Sequence, residues 1–420
     1  MVTTYLTCMK TLIKKKLLFT IFVSLTSTLY SYILFSKQIT NTLQMRFYKK
    51  YYIRIFPELT ILHKKTRWII AFFLIILLQG CAPAREITDF SGRAIHYFDL
   101  VEIGGIKQAI MINGKNVNNP VLVFLHGGPG FPMLPFAPFS ESMRLLEEQY
   151  TIVYWEQRGT GKSFRRNLKA ETMNLDQFID DTREVINYVR NLLGVEKVFL
   201  WGHSWGSNIG AIFASRYPEY LFAYISTGQS VNPFRNEMLA YEFVKNRAKE
   251  ENNPRALRQL ARIDTIPENY SLQDALTIRR WVYRYGGIVY QDRDERPYVD
   301  LREIRTILTT PVYSLWVRIN LLRNPYFSAD KLWEDLKNIN LKEQAPKIEV
   351  PVFFLVGRHD IIVSHILAEE YFEKLVAPAG KTLIWFEESA HRPHTEEKEK
   401  FLSIMKSQIS QYALKGEIPE

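Results

Sequence analysis

Cysteine is almost absent: Cys8 and Cys81 are the two in 420 residues. A chain matured at Cys81 would have no thiol pair, which excludes a disulfide framework, a cysteine-based metal site and a cysteine nucleophile. Most of the chain also lacks a basic excess. The net charge is +10, but residues 1–80 hold twelve Lys and Arg against one acid, Glu58, and the rest carries 42 basic and 43 acidic side chains. The basic balance belongs to the first fifth of the chain, so it gives no support to nucleic-acid binding. Internal repeats and low-complexity tracts are missing too. With 47% hydrophobic and 23% charged residues, 20 Gly and 19 Pro, the composition excludes a collagen-like rod and a disordered tail. The length suits one large domain with an insertion, or two domains, around a sizeable core.

The first 80 residues read as a targeting region. The run Trp68–Leu78 is apolar, follows the basic stretch His63–Arg67 and ends in Leu78-Gln79-Gly80-Cys81. A basic segment, an apolar segment and a small residue before the cut make a secretory signal. The ending resembles a bacterial lipobox, which implies lipidation at Cys81 and a membrane-anchored lipoprotein of the cell envelope. An uncleaved anchor is the alternative. A second uncharged run, Leu17–Ser36, is long enough to span a bilayer. In that topology residues 37–67 would carry eight basic residues outside, against the positive-inside bias. Residues 1–44 therefore read as an upstream extension with Met45 as the start, or else as a second anchor.

From residue 94 short apolar runs alternate with amphipathic ones. A hairpin at 94–112 and buried strands at Val121–Leu125, Thr151–Trp155, Val198–Trp201, Phe222–Ser226, Val352–Val356 and Thr382–Phe386 are expected. Helices are expected near 138–149, 174–193, 205–216, 364–376 and 394–413. That alternation predicts an α/β fold, a mostly parallel eight-stranded sheet with helices on both faces. The rhythm breaks over 229–340, which reads as a helical lid inserted into a core formed by 81–228 and 341–420. The lid has 14 Arg, 4 Lys and 15 acids. Arginine forks bind carboxylates, so an anionic substrate is one reading and internal ion pairs the plainer one.

The sharpest motif is Gly202-His203-Ser204-Trp205-Gly206, between an apolar strand and a helical run. This is the setting of a nucleophile elbow, in which a tight turn lifts the serine oxygen clear of the sheet. Upstream, His126-Gly127-Gly128-Pro129-Gly130 follows another strand. The N–H of Gly128 (or Gly127) and that of Trp205 are the expected oxyanion hole. The acid and base should follow the serine in chain order. Asp360 and His391, each just past a buried strand, fill those places. His391 would take the Ser204 proton while Asp360 holds its tautomer. His394 is the rival base. Asp180 and Asp181 read as solvated or capping residues. The pair His391 and His394 lacks further ligands at metal-binding spacing, so neither metal nor cofactor is expected.

With these residues in view, the chain resembles the α/β-hydrolase superfamily and, within it, the proline iminopeptidase-like group of prolyl aminopeptidases. The motifs are HGGPG at 126–130, WEQRGTGKS at 155–163, GHSWGS at 202–207, GRHD at 357–360 and SAHRPHTEEKEKF at 389–401. Glu156 stands where the family has Asp. The resemblance implies a serine hydrolase that acts on small peptides, releasing N-terminal proline through an acyl-enzyme; the lipobox would attach it to the membrane. An esterase or amidase acting on small acyl substrates is the alternative. It also implies that a lid carboxylate, here Glu237, binds the substrate's free amine, against the plainer reading of an exposed helix Glu.

Overall fold

The computed structural model describes residues 94–415, apart from 137–139, 166, 291–300, 311 and 324–326. The targeting region 1–80, the extension 1–44 and Cys81 lie outside the described residues. Among those described, no helix is long and apolar enough to cross a membrane.

Eight strands form one sheet: β1 (Ile95–Ile103), β2 (Ile106–Gly114), β3 (Val121–Leu125), β4 (Thr151–Glu156), β5 (Val198–His203), β6 (Leu221–Thr227), β7 (Val352–Gly357) and β8 (Lys381–Phe386). Their spatial order is β1-β2-β4-β3-β5-β6-β7-β8. The β2 strand runs antiparallel to both of its neighbours, and every pair from β4 to β8 is parallel. The central strands are buried along their whole length, as a parallel sheet covered on both faces requires. Alternate residues serve two cores. Val121, Val123 and Leu125 of β3 join Val198 and Leu200 of β5 on one face, while Leu122 and Phe124 join Phe199 and Trp201 on the other.

Local signals set the covering helices. Leu175–Leu193 starts at Asn174, whose side chain accepts from the Gln177 N–H, and ends at Gly194 in the left-handed region. Its apolar stripe buries Phe178, Val185, Ile186 and Val189. Helix Trp205–Arg216 is buried from Trp205 through Ala214, which accounts for its lack of a polar face. The helix expected over 394–413 is instead broken into Pro393–Glu396, Lys398–Ile404, a wide π-type turn over Met405–Ile409, and Gln411–Lys415. The break falls at Glu397, with φ −119°. Its carboxylate accepts from the Glu388 N–H and the Ser389 hydroxyl, and the Met405 carbonyl accepts from the Tyr150 hydroxyl.

Between β6 and β7 the described residues form helices and no strand. Pro233–Glu250, Pro254–Leu260 and Leu272–Arg284 enclose a core of their own, built on Val244, Leu260, Ile278 and Trp281. Asp181 is neither solvated nor capping. It is fully buried and pairs with the equally buried Arg158 through Nε at 2.8 Å and Nη2 at 2.9 Å, with Gln108 and Gln177 donating as well. A charge sealed from water needs an opposite charge and filled hydrogen bonds, and sequence spacing does not reveal that Arg158 lies against this helix. Glu156, at the end of β4, is buried too. It accepts from the Tyr313 hydroxyl and from the N–H groups of Lys162 and Leu134, tying the inserted block to the sheet. Burial raises its carboxyl from 4.5 to about 7.

Two outcomes follow from these buried acids. Asp181→Ala strands the Arg158 charge and should lower unfolding free energy by about 3–5 kcal/mol, read as a lower denaturant midpoint; a loss under ~1 kcal/mol would contradict the pairing. For Glu156 the folded chain holds a proton that the unfolded chain releases near 4.5, so its contribution to stability falls as pH rises towards 7. Relative to the parent, Glu156→Gln should therefore gain about 3 kcal/mol across that window. Denaturation of both proteins at several pH values checks this, and a pH-independent difference would refute it.

Candidate active site

The topology selects the place. The chain leaves β3 for β4 on one side and returns to β5 on the other, so β3 and β5 flank the switch point where open α/β sheets bind ligands. Both motif loops emerge there.

Ser204 follows β5 with φ 55° and ψ −122°, a region costly for a residue with a side chain, on the order of 1–3 kcal/mol. The flanking glycines make the turn feasible. A Cβ on Gly206 would stand 2.0 Å from the Leu125 carbonyl oxygen, and one on Gly202 would stand 2.6 Å from that of Gly206. The N–H of Trp205 opens the helix, where the first amides have no carbonyl one turn back. Opposite it, Gly127 lies close enough that a Cβ would be 3.1 Å from that of Ser204. Gly128 has φ +129°, a conformation that L side chains disfavour. The peptide N–H groups expected to form an anion hole thus border the serine.

Hydrogen bonds join the motifs. His126 is fully buried, and its Nδ1 lies 2.8 Å from the Gly127 carbonyl. Its Nε2 accepts from the Gln157 N–H at 3.1 Å, so Nδ1 carries the proton. Burial lowers this imidazole to about 4. The Gln157 side chain donates to the His126 carbonyl and accepts from the Trp205 indole at 2.9 Å.

Asp360 and His391 come together from the loops after β7 and β8. His391 Nδ1 donates to Asp360 Oδ2 at 2.8 Å, and the other carboxylate oxygen accepts from the Val363 N–H. Asp360 is 1% exposed and His391 6%. Ser204 and His391 line one cavity. No hydrogen bond joins them in this arrangement, and such contacts commonly tighten only when substrate binds. Asp360 pairs with His391 and not with His394, whose buried Nδ1 has no hydrogen-bond partner. The His394 ring packs edge-on to Trp201 and Phe401. Burial lowers His394 to about 3 and holds His203 well below its usual value. His359 stacks on Tyr290.

Glu237 is not an exposed helix residue. It is 3% exposed and lines a small cavity with Ser204, Gly128 and Trp205. Its carboxylate accepts from Arg279 Nε at 2.9 Å and Nη2 at 2.7 Å, and from the Tyr270 hydroxyl at 3.3 Å. Sequence reasoning missed Arg279, Tyr270 and Trp333 on this wall. Arg279 and Trp333 come from separate helices of the insertion and Tyr270 from the connection before Leu272, and none carries a motif; the excess of Arg over Lys in that block was the available hint. Among the described residues, no group of three or more His, Cys, Asp or Glu could hold a metal ion.

The comparisons agree with this architecture. Residues 120–397 match the family model described as alpha/beta hydrolase fold. The chain is 32% identical over 311 residues to the probable aminopeptidase YbaC of Bacillus subtilis, covering 73% of this chain and 93% of that one. It is 22% identical over 305 residues to a proline iminopeptidase of Heyndrickxia coagulans, covering 73% and 96%. Among solved structures, the proline iminopeptidase of Mycobacterium smegmatis shares the fold at TM-score 0.54 and 18% identity, covering 76% of this chain and all of that one. The chain belongs to the alpha/beta-hydrolase family, in its proline iminopeptidase-like (prolyl aminopeptidase) group, and is a hydrolase.

Proposed function

We propose that the protein is a serine aminopeptidase that releases N-terminal proline from small peptides, with Ser204, Asp360 and His391 as its catalytic triad. The observation that carries this reading is the buried Asp360–His391 hydrogen bond on the cavity that also holds Ser204. Asp360 fixes the proton on Nδ1, which leaves Nε2 basic. His391 takes the Ser204 proton as Oγ bonds to the substrate carbonyl carbon. Negative charge develops on the carbonyl oxygen, facing the N–H groups of Gly128 and Trp205. The C–N bond then breaks, and the same proton passes from His391 to the departing amine. Water reverses the sequence: its oxygen bonds to the acyl carbon, its proton goes to His391, and the acyl–oxygen bond breaks as His391 returns that proton to Ser204 Oγ.

Glu237 supports the choice of an aminoacyl substrate. It is a buried carboxylate in the smaller cavity beside Ser204, where it can meet the charged amine of the acyl group. A second reading, an esterase or amidase acting on small acyl groups, is favoured by one observation: Arg279 already pairs with that carboxylate. Turnover of Pro-p-nitroanilide compared with p-nitrophenyl acetate decides between them. Lipid attachment at Cys81 is proposed on the lipobox resemblance alone, and mass spectrometry of the mature protein tests it.

The Ser204→Ala variant should fold, fail to react with a fluorophosphonate and lose nearly all turnover, keeping at most the roughly 10³–10⁴-fold enhancement over water that binding and the anion hole supply. Activity within tenfold of the parent would end the serine-hydrolase reading. Asp360→Asn keeps the shape and removes the charge, so kcat should drop by about 10⁴; a silent substitution would place the acid elsewhere. Glu237→Gln should lower kcat/KM for Pro-p-nitroanilide about 10- to 100-fold more than for p-nitrophenyl acetate, the scale of one hydrogen bond to a charged group. Equal losses on both would assign Glu237 to structure.

A further inference from the structure

Two cavities meet at Ser204 and differ in kind. The smaller, about 50 Å³, contains Glu237 and Asn208. The larger, about 340 Å³, is walled by Phe124, Phe131, Met133, Phe136, Met143 and Ile288. Ser204 and Gly128 border both, whereas His391 borders only the larger. This asymmetry assigns the two sides. In acyl transfer the imidazole that receives the serine proton delivers it to the departing group, so the departing group must lie on the side that His391 faces. The acyl part then falls to the side of Glu237 and Asn208, where the cavity of about 50 Å³ must widen to take a prolyl ring.

We propose that the larger cavity is a leaving-group site for an apolar, ring-bearing amine or alcohol, the side chain of a hydrophobic second residue when the substrate is a peptide. This deepens the serine-hydrolase reading above and rests on it. Size and surface both support the assignment. A cavity of about 150 Å³ lined by apolar side chains holds one benzene ring, so this one has room for about two fused rings. The Phe131 and Phe136 rings stack at 5.4 Å and 24°, giving a flat wall against which an aromatic guest can lie. His203 and His394 also face the cavity, but burial keeps both imidazoles uncharged. Among the described residues, the charged side chains on the wall are Arg279 and Arg392. An apolar guest therefore meets carbon and neutral rings over most of its contact.

The test holds the acyl group constant and varies the leaving group. Prolyl 2-naphthylamide is compared with prolyl anilide, and 2-naphthyl acetate with phenyl acetate. The two acetates need no amine recognition. We expect kcat/KM to favour naphthyl over phenyl by about tenfold or more in each pair that is turned over, the scale of extra apolar contact in a pocket. Met133→Trp or Ile288→Trp, which fill the cavity from different walls, should bring that ratio towards one. The second variant covers a folding failure of the first. Should the aminopeptidase reading fail, the prolyl amides stay intact while the acetates keep the naphthyl preference. A ratio near one in the parent, or a preference untouched by both tryptophans, overturns the leaving-group assignment. Absence of fluorophosphonate labelling and of turnover on all four substrates overturns both readings together.

Discussion

The conformation of Ser204 is the constraint on which the rest of the site depends. A residue with a side chain is held at φ 55° between strand and helix, and such strain persists only where its surroundings over-determine it. Here the surroundings are backbone. The Leu125 carbonyl at the end of β3 stands where a Cβ on Gly206 would go, so the turn after β5 and the loop after β3 are packed against each other without side chains between them. That contact sets how closely the Gly127 backbone approaches the serine, so a shift in one loop must displace the other.

A relay of polar contacts holds this arrangement in place. His126 grips its own loop and the start of the next, and Gln157 passes the contact on to the indole of Trp205. Three sequence motifs, HGGPG, QRG and GHSWG, are thus one hydrogen-bonded unit. Beneath it, the buried Arg158–Asp181 pair pins the QRG loop to the helix Leu175–Leu193. Each member lies away from water, so each missing partner would leave a desolvated polar group. Stability and catalytic geometry are therefore coupled through the same atoms.

The inserted block adds what the sheet cannot. It supplies Glu237, Tyr270 and Trp333 to one side of Ser204, Ile288 to the other and Arg279 to both, and Tyr313 fastens it to Glu156. In the proposed reading the core carries the acyl-transfer machinery, and the insertion closes the space around it. Chemistry and selectivity lie in different parts of the chain, so the insertion can change while the chemistry stays.

The amino-acid sequence by itself determined the strands, the helices against them and the identity of the candidate nucleophile, acid and base. Those are local properties: apolar runs read as buried strands, and a serine between glycines at a strand-to-helix junction has few other uses. The end of the last helix escaped because its break depends on the carboxylate of Glu397 and on Tyr150, far away in the chain. The pairing of Asp181 with Arg158, the burial of Glu237 against Arg279 and the contact of Asp360 with His391 and not His394 were decided by tertiary structure. In each case residues distant in sequence meet with at least one of them out of water, where partnership and not residue type sets the cost of a charge.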